Sequence, residues 1–139
     1  MKSTPTIFTR QSTWRFTLLG VYLITVTLLL FRAFRGWGYD DPYITYRYAQ
    51  NIINGVGFVF NPGEQVLSTT TPLFAIILAV LSPIWDNAPQ LANLISAFSV
   101  ALGAVFLWDL SQTWKSPAAG WASLLLYPLF PILLRTTGS

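Results

Sequence analysis

Long uncharged apolar segments constrain the fold of this chain more than any other feature. Residues 16–31, 72–85, 88–108 and 116–134 are four largely apolar stretches without a charged side chain. A helix needs about 20 predominantly apolar residues to cross the hydrocarbon of a bilayer. In the whole chain 53% of residues are hydrophobic and 9% are charged, whereas about a quarter are charged in a soluble domain. The sequence therefore predicts an all-α membrane protein with about four transmembrane helices.

The polar residues between these stretches define the expected organisation. Residues 1–15 contain three basic residues and no acid, which is typical of a cytoplasmic tail. A cleaved signal peptide is the competing interpretation, but the first apolar run leads into bulky and charged residues, where a signal peptidase needs small ones. We expect a multi-pass protein of the plasma or inner membrane with a cytoplasmic N-terminus. The expected segments are a tail at 1–15, spans at 16–34, 72–85, 88–109 and 116–135, and an outer loop at 35–71.

Two features of this topology stay open at the level of sequence. The span at 72–85 is short, and Pro83 can end or kink it. With four spans the eight basic residues divide evenly between the two sides of the membrane, so the positive-inside rule does not decide the orientation.

The composition excludes several kinds of chemistry. The chain has no cysteine and no histidine, which excludes disulfides, thiol nucleophiles, Ser-His-Asp triads and zinc sites built from those residues. The net charge of +3 is spread along the chain without a basic cluster, which argues against nucleic acid as a partner. Carboxylates remain as the candidate bases.

Asp40 and Asp41 are two of only five acidic residues in the chain, and they lie side by side in the outer loop. Asp41 followed by Pro42 is typical of an N-cap with proline at the first helical position. Asp40 would then lie ahead of a helix N-terminus, whose partial positive charge favours the ionised carboxylate that a general base needs. The alternative is that both aspartates only cap a helix at the membrane boundary.

The loop carries the signals of an interfacial helix and a short hairpin. A helix is expected over 42–54, with Ile44, Tyr48 and Ile52 on its apolar face and a glycine stop at Gly55. Residues 57–60 and 65–67 are expected as two strands around a type II turn at 61–64. Four tyrosines between positions 39 and 48 favour the headgroup level of a membrane, with sugar stacking as the alternative role.

The same loop resembles a known family. Residues 40–51 read DDPYITYRYAQN, residues 55–64 read GVGFVFNPGE and residues 71–73 read TPL. This run resembles the first outer loop of the GT-C glycosyltransferases, especially bacterial arabinofuranosyltransferases and related polyprenyl-phosphate-sugar transferases. Their loop carries two acids, an aromatic helix with Arg-Tyr-Ala and a Phe-Asn-Pro-Gly-Glu turn. The match covers about 35 consecutive positions with ordered spacing.

The resemblance implies a membrane enzyme that transfers a sugar from a polyprenyl-phosphate donor to a hydroxyl of a glycan, lipid or protein acceptor, with inversion. The first acid of the motif, Asp40, would be the base, and Asp41 would support it by capping the helix and orienting the acceptor or a divalent cation. No residue is assigned as a metal ligand. The candidate substrate-binding residues are Arg32, Arg35, Tyr43, Arg47, Tyr48, Glu64 and Thr71. For the arginines, snorkelling to lipid phosphates is the alternative role.

The chain departs from this family in length. Such enzymes have on the order of eight to fourteen spans, so the resemblance suggests the N-terminal portion of a longer enzyme, truncated after residue 139 and inactive alone. The alternative is a small non-catalytic membrane subunit or assembly factor that keeps the loop as a binding surface. The sequence identifies neither the sugar nor the acceptor.

Overall fold

The computed structural model describes residues 11–36, 41–64 and 68–137. The described residues form helices joined by turns and loops, with no strand among them. The helices are α1 (Gln11–Ala33), α2 (Asp41–Ile53), α3 (Pro72–Leu81), α4 (Ala88–Thr113), α5 (Pro117–Leu126) and α6 (Phe130–Thr137), with a 3₁₀ turn at Tyr127–Leu129 before α6. The chain divides into a helical unit, Met1–Ala33 with Ala97–Ser139, and a loop unit, Phe34–Ser96.

Two helices are long and apolar enough to cross a membrane. They are α1, over Trp14–Ala33, and α4, over Ala88–Thr113. This agrees with the expected spans at 16–34 and 88–109, although α4 runs one turn further. The expected count of four spans is not confirmed, because Pro72–Leu81 and Pro117–Leu133 are shorter apolar helices.

The helix within the span expected at 72–85 is shorter than that span. Helix α3 has 10 residues and ends at Leu81, so at 1.5 Å per residue it is about 15 Å long, half the thickness of the hydrocarbon. The chain leaves the helix at Ser82 and Pro83, where proline cannot continue the hydrogen-bond ladder. The Ser82 hydroxyl donates to the Ala79 carbonyl at 2.9 Å and so satisfies one of the terminal carbonyls.

Helices α4 and α5 of the helical unit form a hairpin that depends on small residues. A Cβ built on Gly120 would lie 2.5 Å from Ser111 Oγ and 3.0 Å from Trp108 Cδ1. Further along the hairpin, a Cβ on Gly103 would lie 3.1 Å from Tyr127 Cε1. Small residues at such contacts let two backbones approach closely, which is the usual way that membrane helices associate.

Proline interrupts the helix that follows, and α1 compensates for the loss. In an α-helix the Leu124 carbonyl would accept from the amide of residue 128, which is proline and has none. The Tyr22 hydroxyl donates to this carbonyl at 2.6 Å instead. The chain tightens into the 3₁₀ turn at Tyr127–Leu129 and continues as α6. The span expected at 116–135 is therefore helical but broken near its middle.

The contacts inside the helical unit show that α1 and α4 run in opposite directions. Tyr22 contacts Leu124, and the neighbouring Ser123 donates to the Ala104 carbonyl at 3.4 Å, so Tyr22 is level with the region of Ala104. Further along α1, a groove is lined by Phe98 together with Leu23, Ile24, Thr27 and Leu28. Helices α1 and α4 are therefore antiparallel.

The loop unit is built around α2, which packs on α3. Its core contains Ala49 of α2, Leu78 and Ala79 of α3, and Leu91 and Ala92 from the start of α4. The buried face of α2 is centred on Thr45, Tyr48 and Ala49, whereas Ile44 and Ile52 of the expected face are only partly buried. The expected apolar face therefore had the right periodicity but was rotated towards Thr45.

The expected helix in the loop is confirmed, including its end. Gly55 has a φ of 72°, and the amides of Gly55 and Val56 donate to the carbonyls of Ile52 and Asn51 at 3.1 and 2.9 Å. This pair of bonds is a Schellman motif, which needs a left-handed residue just after the helix. The start of α2 at Asp41 differs by one residue from the expected start at Pro42, within the usual uncertainty of helix ends.

The expected turn is confirmed, but the expected hairpin is not. The Glu64 amide donates to the Asn61 carbonyl at 3.2 Å, and Gly63 has a φ of 86°, as a type II turn requires. Residues 57–60 form bends rather than a strand, and residues 65–67, expected as the second strand, lie outside the described residues. The backbone of 57–60 bonds to a side chain of α2 rather than to a partner strand.

Candidate functional site

The sequence motif centres on the start of α2. Asp41 is the first residue of this helix, where a negative charge interacts favourably with the helix dipole. Asp40 and the side chain of Asp41 lie outside the described part of the structure, so their roles as base and supporting acid remain predictions. The surroundings of this helix start are described from Pro42 onwards.

Hydroxyl groups gather on the same face of α2 as position 41. Thr45 Oγ1 lies 2.9 Å from Thr71 Oγ1 and 3.4 Å from Thr69 Oγ1. Residues four apart lie on one face of a helix, so Thr45 is on the face of α2 that starts at position 41. The hydroxyls of Thr45, Thr69 and Thr71, which we call the threonine cluster, meet at this face. Thr45 and Thr69 are buried, whereas Thr71 is exposed. Thr71 is thus the member of the cluster that a ligand can reach.

Thr71 immediately precedes α3, but its side chain does not cap that helix. It occupies the N-cap position ahead of Pro72 without a side-chain capping bond. Its hydroxyl bonds instead to Thr45, 26 residues earlier in the chain. The hydroxyl therefore joins the start of α3 to the first turns of α2, a tertiary contact that no local pattern indicates.

Tyr48 is not available to a substrate, which corrects its expected role. Its side chain is 0% exposed, and its ring packs on Phe58 at 4.8 Å and on Phe60 at 6.2 Å between centroids. The Tyr48 hydroxyl accepts from the Ser68 amide at 2.9 Å and lies 3.1 Å from Ser68 Oγ. Tyr48 therefore attaches the segment that leads to the threonine cluster, and its role is structural.

Asn51 performs a similar task and was not singled out from the sequence. Its side chain is buried, and Nδ2 donates to the carbonyls of Val59 and Phe60 at 2.7 and 2.9 Å. One amide thus satisfies two loop carbonyls that a partner strand would otherwise take. The available signal was its position three residues after Tyr48, on the buried face of the helix.

The remaining candidate residues are exposed. Arg32 lies in the last turn of α1, where a cation interacts favourably with the helix dipole. Arg35 and Arg47 are exposed on the loop unit. Tyr43 is 57% exposed and packs edge-to-face on Tyr46 at 5.3 Å. Glu64 is exposed at the turn, where its carboxylate accepts from Asn61 Nδ2 at 3.0 Å.

Within the described ranges, no group of three or more acidic side chains lies close enough together to hold a metal ion. A cation ligand set therefore cannot be assigned from these residues. Comparison of the chain with protein-family models, curated proteins and solved structures finds no match.

Proposed function

We propose that the chain is part of a membrane glycosyltransferase of the GT-C type that uses a polyprenyl-phosphate sugar as donor. One observation carries the proposal. The residues that resemble the family's outer loop belong to one folded unit, in which Asp41 begins α2 and the threonine cluster occupies the same helix face one turn later. An exposed hydroxyl at Thr71, together with the carboxylates that the sequence places at the start of α2, suits the binding and deprotonation of a sugar or another polyol acceptor.

The proposed reaction has one displacement step. Asp40 takes the proton of the acceptor hydroxyl, the acceptor oxygen attacks the anomeric carbon, and the bond from that carbon to the phosphate oxygen breaks. The anomeric centre is inverted, and polyprenyl phosphate leaves with the bonding electrons. Positioning and charge stabilisation supply most of the catalysis in such a step, because phosphate is a good leaving group.

The exposed side chains of the loop unit suit the remaining tasks. Arg35 and Arg47 carry fixed positive charges that stabilise the departing phosphate. Tyr43 offers an exposed ring for stacking on a sugar, and Thr71 offers a hydroxyl as a hydrogen-bond partner. A glycan, a lipid or a protein can supply the acceptor hydroxyl.

We place this chemistry at the outer face of the plasma or inner membrane. Helix α1 crosses the membrane with the basic N-terminal tail in the cytoplasm, and the chain crosses again through α4. The loop unit then faces the side where lipid-linked sugars are used. A single cysteine at Gln50 should accordingly react with a membrane-impermeant maleimide on intact cells. Labelling only after lysis would contradict this orientation.

The decisive experiment compares two substitutions in membranes that contain the full-length protein. Asp40→Asn preserves size and cannot accept a proton, so turnover with a polyprenyl-phosphate sugar should fall by about 100-fold or more. Binding of the donor lipid should persist. Asp41→Asn removes a favourable first-turn charge, which is worth about 0.3–1 kcal/mol, and should lower turnover only slightly.

Other outcomes have clear meanings. If Asp41→Asn abolishes turnover while Asp40→Asn does not, the two roles are exchanged. If neither change affects turnover, the carboxylate mechanism is wrong. A full-length protein that binds the donor lipid without transferring its sugar would favour the non-catalytic subunit instead.

A further inference from the structure

One face of α3 is apolar and is left largely exposed by the described residues of the loop unit. Ala75, Leu78 and Ala79 are buried against the core of this unit. The opposite side exposes Leu73, Ile76, Ile77 and Val80, and Ile84 continues it beyond the helix. We call these five residues the α3 stripe. Leu73 and Val80 are each 69% exposed, and Ile84 is 83% exposed.

The composition of α3 identifies the surroundings that suit this stripe. The helix reads PLFAIILAVL and contains no polar side chain. A water-exposed helix normally carries charged or polar residues opposite its buried face, whereas one that is apolar all round is surrounded by protein or lipid. Polar residues occur only beyond its ends, at Thr71 and at Ser82, Asp86 and Asn87.

The directions of α1 and α4 decide whether α3 crosses the membrane. The two long helices run in opposite directions, because Tyr22 bonds to Leu124 at the level of Ala104, whereas Phe98 lines a groove with residues further along α1. If both cross the bilayer, residue 33 and the start of α4 face the same side. A crossing by α3 would place them on opposite sides and would make α1 and α4 parallel. The length of α3, about 15 Å, independently argues against a crossing.

We propose that α3 enters one leaflet without crossing it, and that the α3 stripe docks into the acyl chains of that leaflet. The loop unit then leaves and re-enters the membrane on the same side, with α2 held at the headgroup level. The chain crosses through α1, through α4 and through the broken helix at 117–137, rather than four times. This proposal does not depend on glycosyl transfer and can fail or succeed independently of it.

The absence of native cysteine allows a direct test of sidedness. Three single variants, Gln50→Cys, Asn87→Cys and Lys115→Cys, place exposed thiols before α3, after α3 and between α4 and α5. They are labelled with a membrane-impermeant maleimide in sealed vesicles, before and after lysis. We expect Asn87→Cys to react from the same side as Gln50→Cys, and Lys115→Cys to react from the opposite side. Because the comparison is internal, it does not require the absolute orientation.

If α3 crossed the membrane, the variants at positions 87 and 115 would be labelled from the opposite sides to those expected. Lys115→Cys would then react from the same side as Gln50→Cys, and Asn87→Cys from the opposite side, which would overturn the proposal. Labelling of all three from one side would also overturn it, because α4 would then not cross.

A depth measurement tests contact with lipid. A fluorophore attached to Val80→Cys should be quenched at least twofold more by phospholipid with a nitroxide near the headgroup than by phospholipid with a nitroxide near the chain end. Ile24→Cys is the matched control, because Ile24 is exposed near the middle of the α1 span, and it should show the reverse order. If Val80→Cys gives the order of Ile24→Cys, or is quenched by neither lipid, the proposed docking is wrong.

Discussion

The contact between Gly120 and Ser111 allows a quantitative test of the packing of α4 on α5. An alanine Cβ at position 120 would lie 2.5 Å from Ser111 Oγ, about 1 Å closer than the roughly 3.5 Å at which nonbonded heavy atoms rest. Ser111 cannot turn away without breaking its hydrogen bond to the Trp108 carbonyl, which measures 2.6 Å. Even then, Trp108 Cδ1 would remain at 3.0 Å. Overpacking of this kind costs about 1–3 kcal/mol.

Glycines elsewhere in the helices provide matched controls. Replacing glycine by alanine within a helix gains up to about 1 kcal/mol from helix propensity, and this gain is common to the variants. A Cβ on Gly20 would meet nothing within 4 Å, and one on Gly103 would have the Tyr127 side chain as its nearest neighbour, with Cε1 at 3.1 Å. We therefore expect the stability order Gly20→Ala, then Gly103→Ala, then Gly120→Ala, with about 1–3 kcal/mol between the first and the last.

The assay is reversible unfolding by SDS in mixed micelles, followed by tryptophan fluorescence. Combining Gly120→Ala with Ser111→Ala removes the oxygen that clashes, so the double variant should recover part of the lost stability. The interaction energy of such a pair in contact is about 0.5–3 kcal/mol. Equal stabilities for Gly120→Ala and Gly20→Ala would refute the close approach of the two helices. An additive double variant would show that Ser111 is not the obstacle.

Three further substitutions test individual contacts. Tyr22→Phe removes the hydroxyl that donates to the Leu124 carbonyl and should lower the free energy of unfolding in SDS by about 1–3 kcal/mol. Tyr43→Phe, at an exposed ring, should lower it by less than about 0.5 kcal/mol. In Asn51→Ala, protease in detergent should cleave residues 57–60 several-fold faster than in the wild type, whereas Gln50→Ala, at an exposed position, is the control. Equal cleavage rates would contradict the role of Asn51 in holding this segment. Lys115 has a φ of 52°, so Lys115→Gly should raise stability by about 1 kcal/mol by SDS titration, and no gain would argue against the left-handed conformation.

Local sequence signals predicted much of the loop unit correctly. Pro42 favoured a helix start, Gly55 ended the helix and Gly63 formed the turn, because each depends on the backbone preferences of one or two residues. The apolar segments likewise predicted α1 and α4, since hydropathy and length are properties of the chain alone. The same local signals could not give the face of α2 that is buried, which packing against α3 decides.

Tertiary structure decided the parts of the candidate site that involve distant residues. Tyr48 looked like a residue for binding sugars, but the rings of Phe58 and Phe60 and the backbone of Ser68 enclose it. Thr71 was named as a candidate substrate-binding residue, but the sequence did not indicate that its hydroxyl bonds to Thr45. Both partners lie many positions away, so spacing along the chain carries no information about them.

The sequence by itself determined that this chain contains membrane-length apolar helices and a loop in which a helix begins at the pair Asp41 and Pro42. Only the tertiary structure decided the direction of α4 relative to α1 and the short reach of α3. The physical reason is that hydropathy measures how much apolar surface a segment must bury, whereas contacts such as that between Tyr22 and Leu124 determine how the helices are arranged.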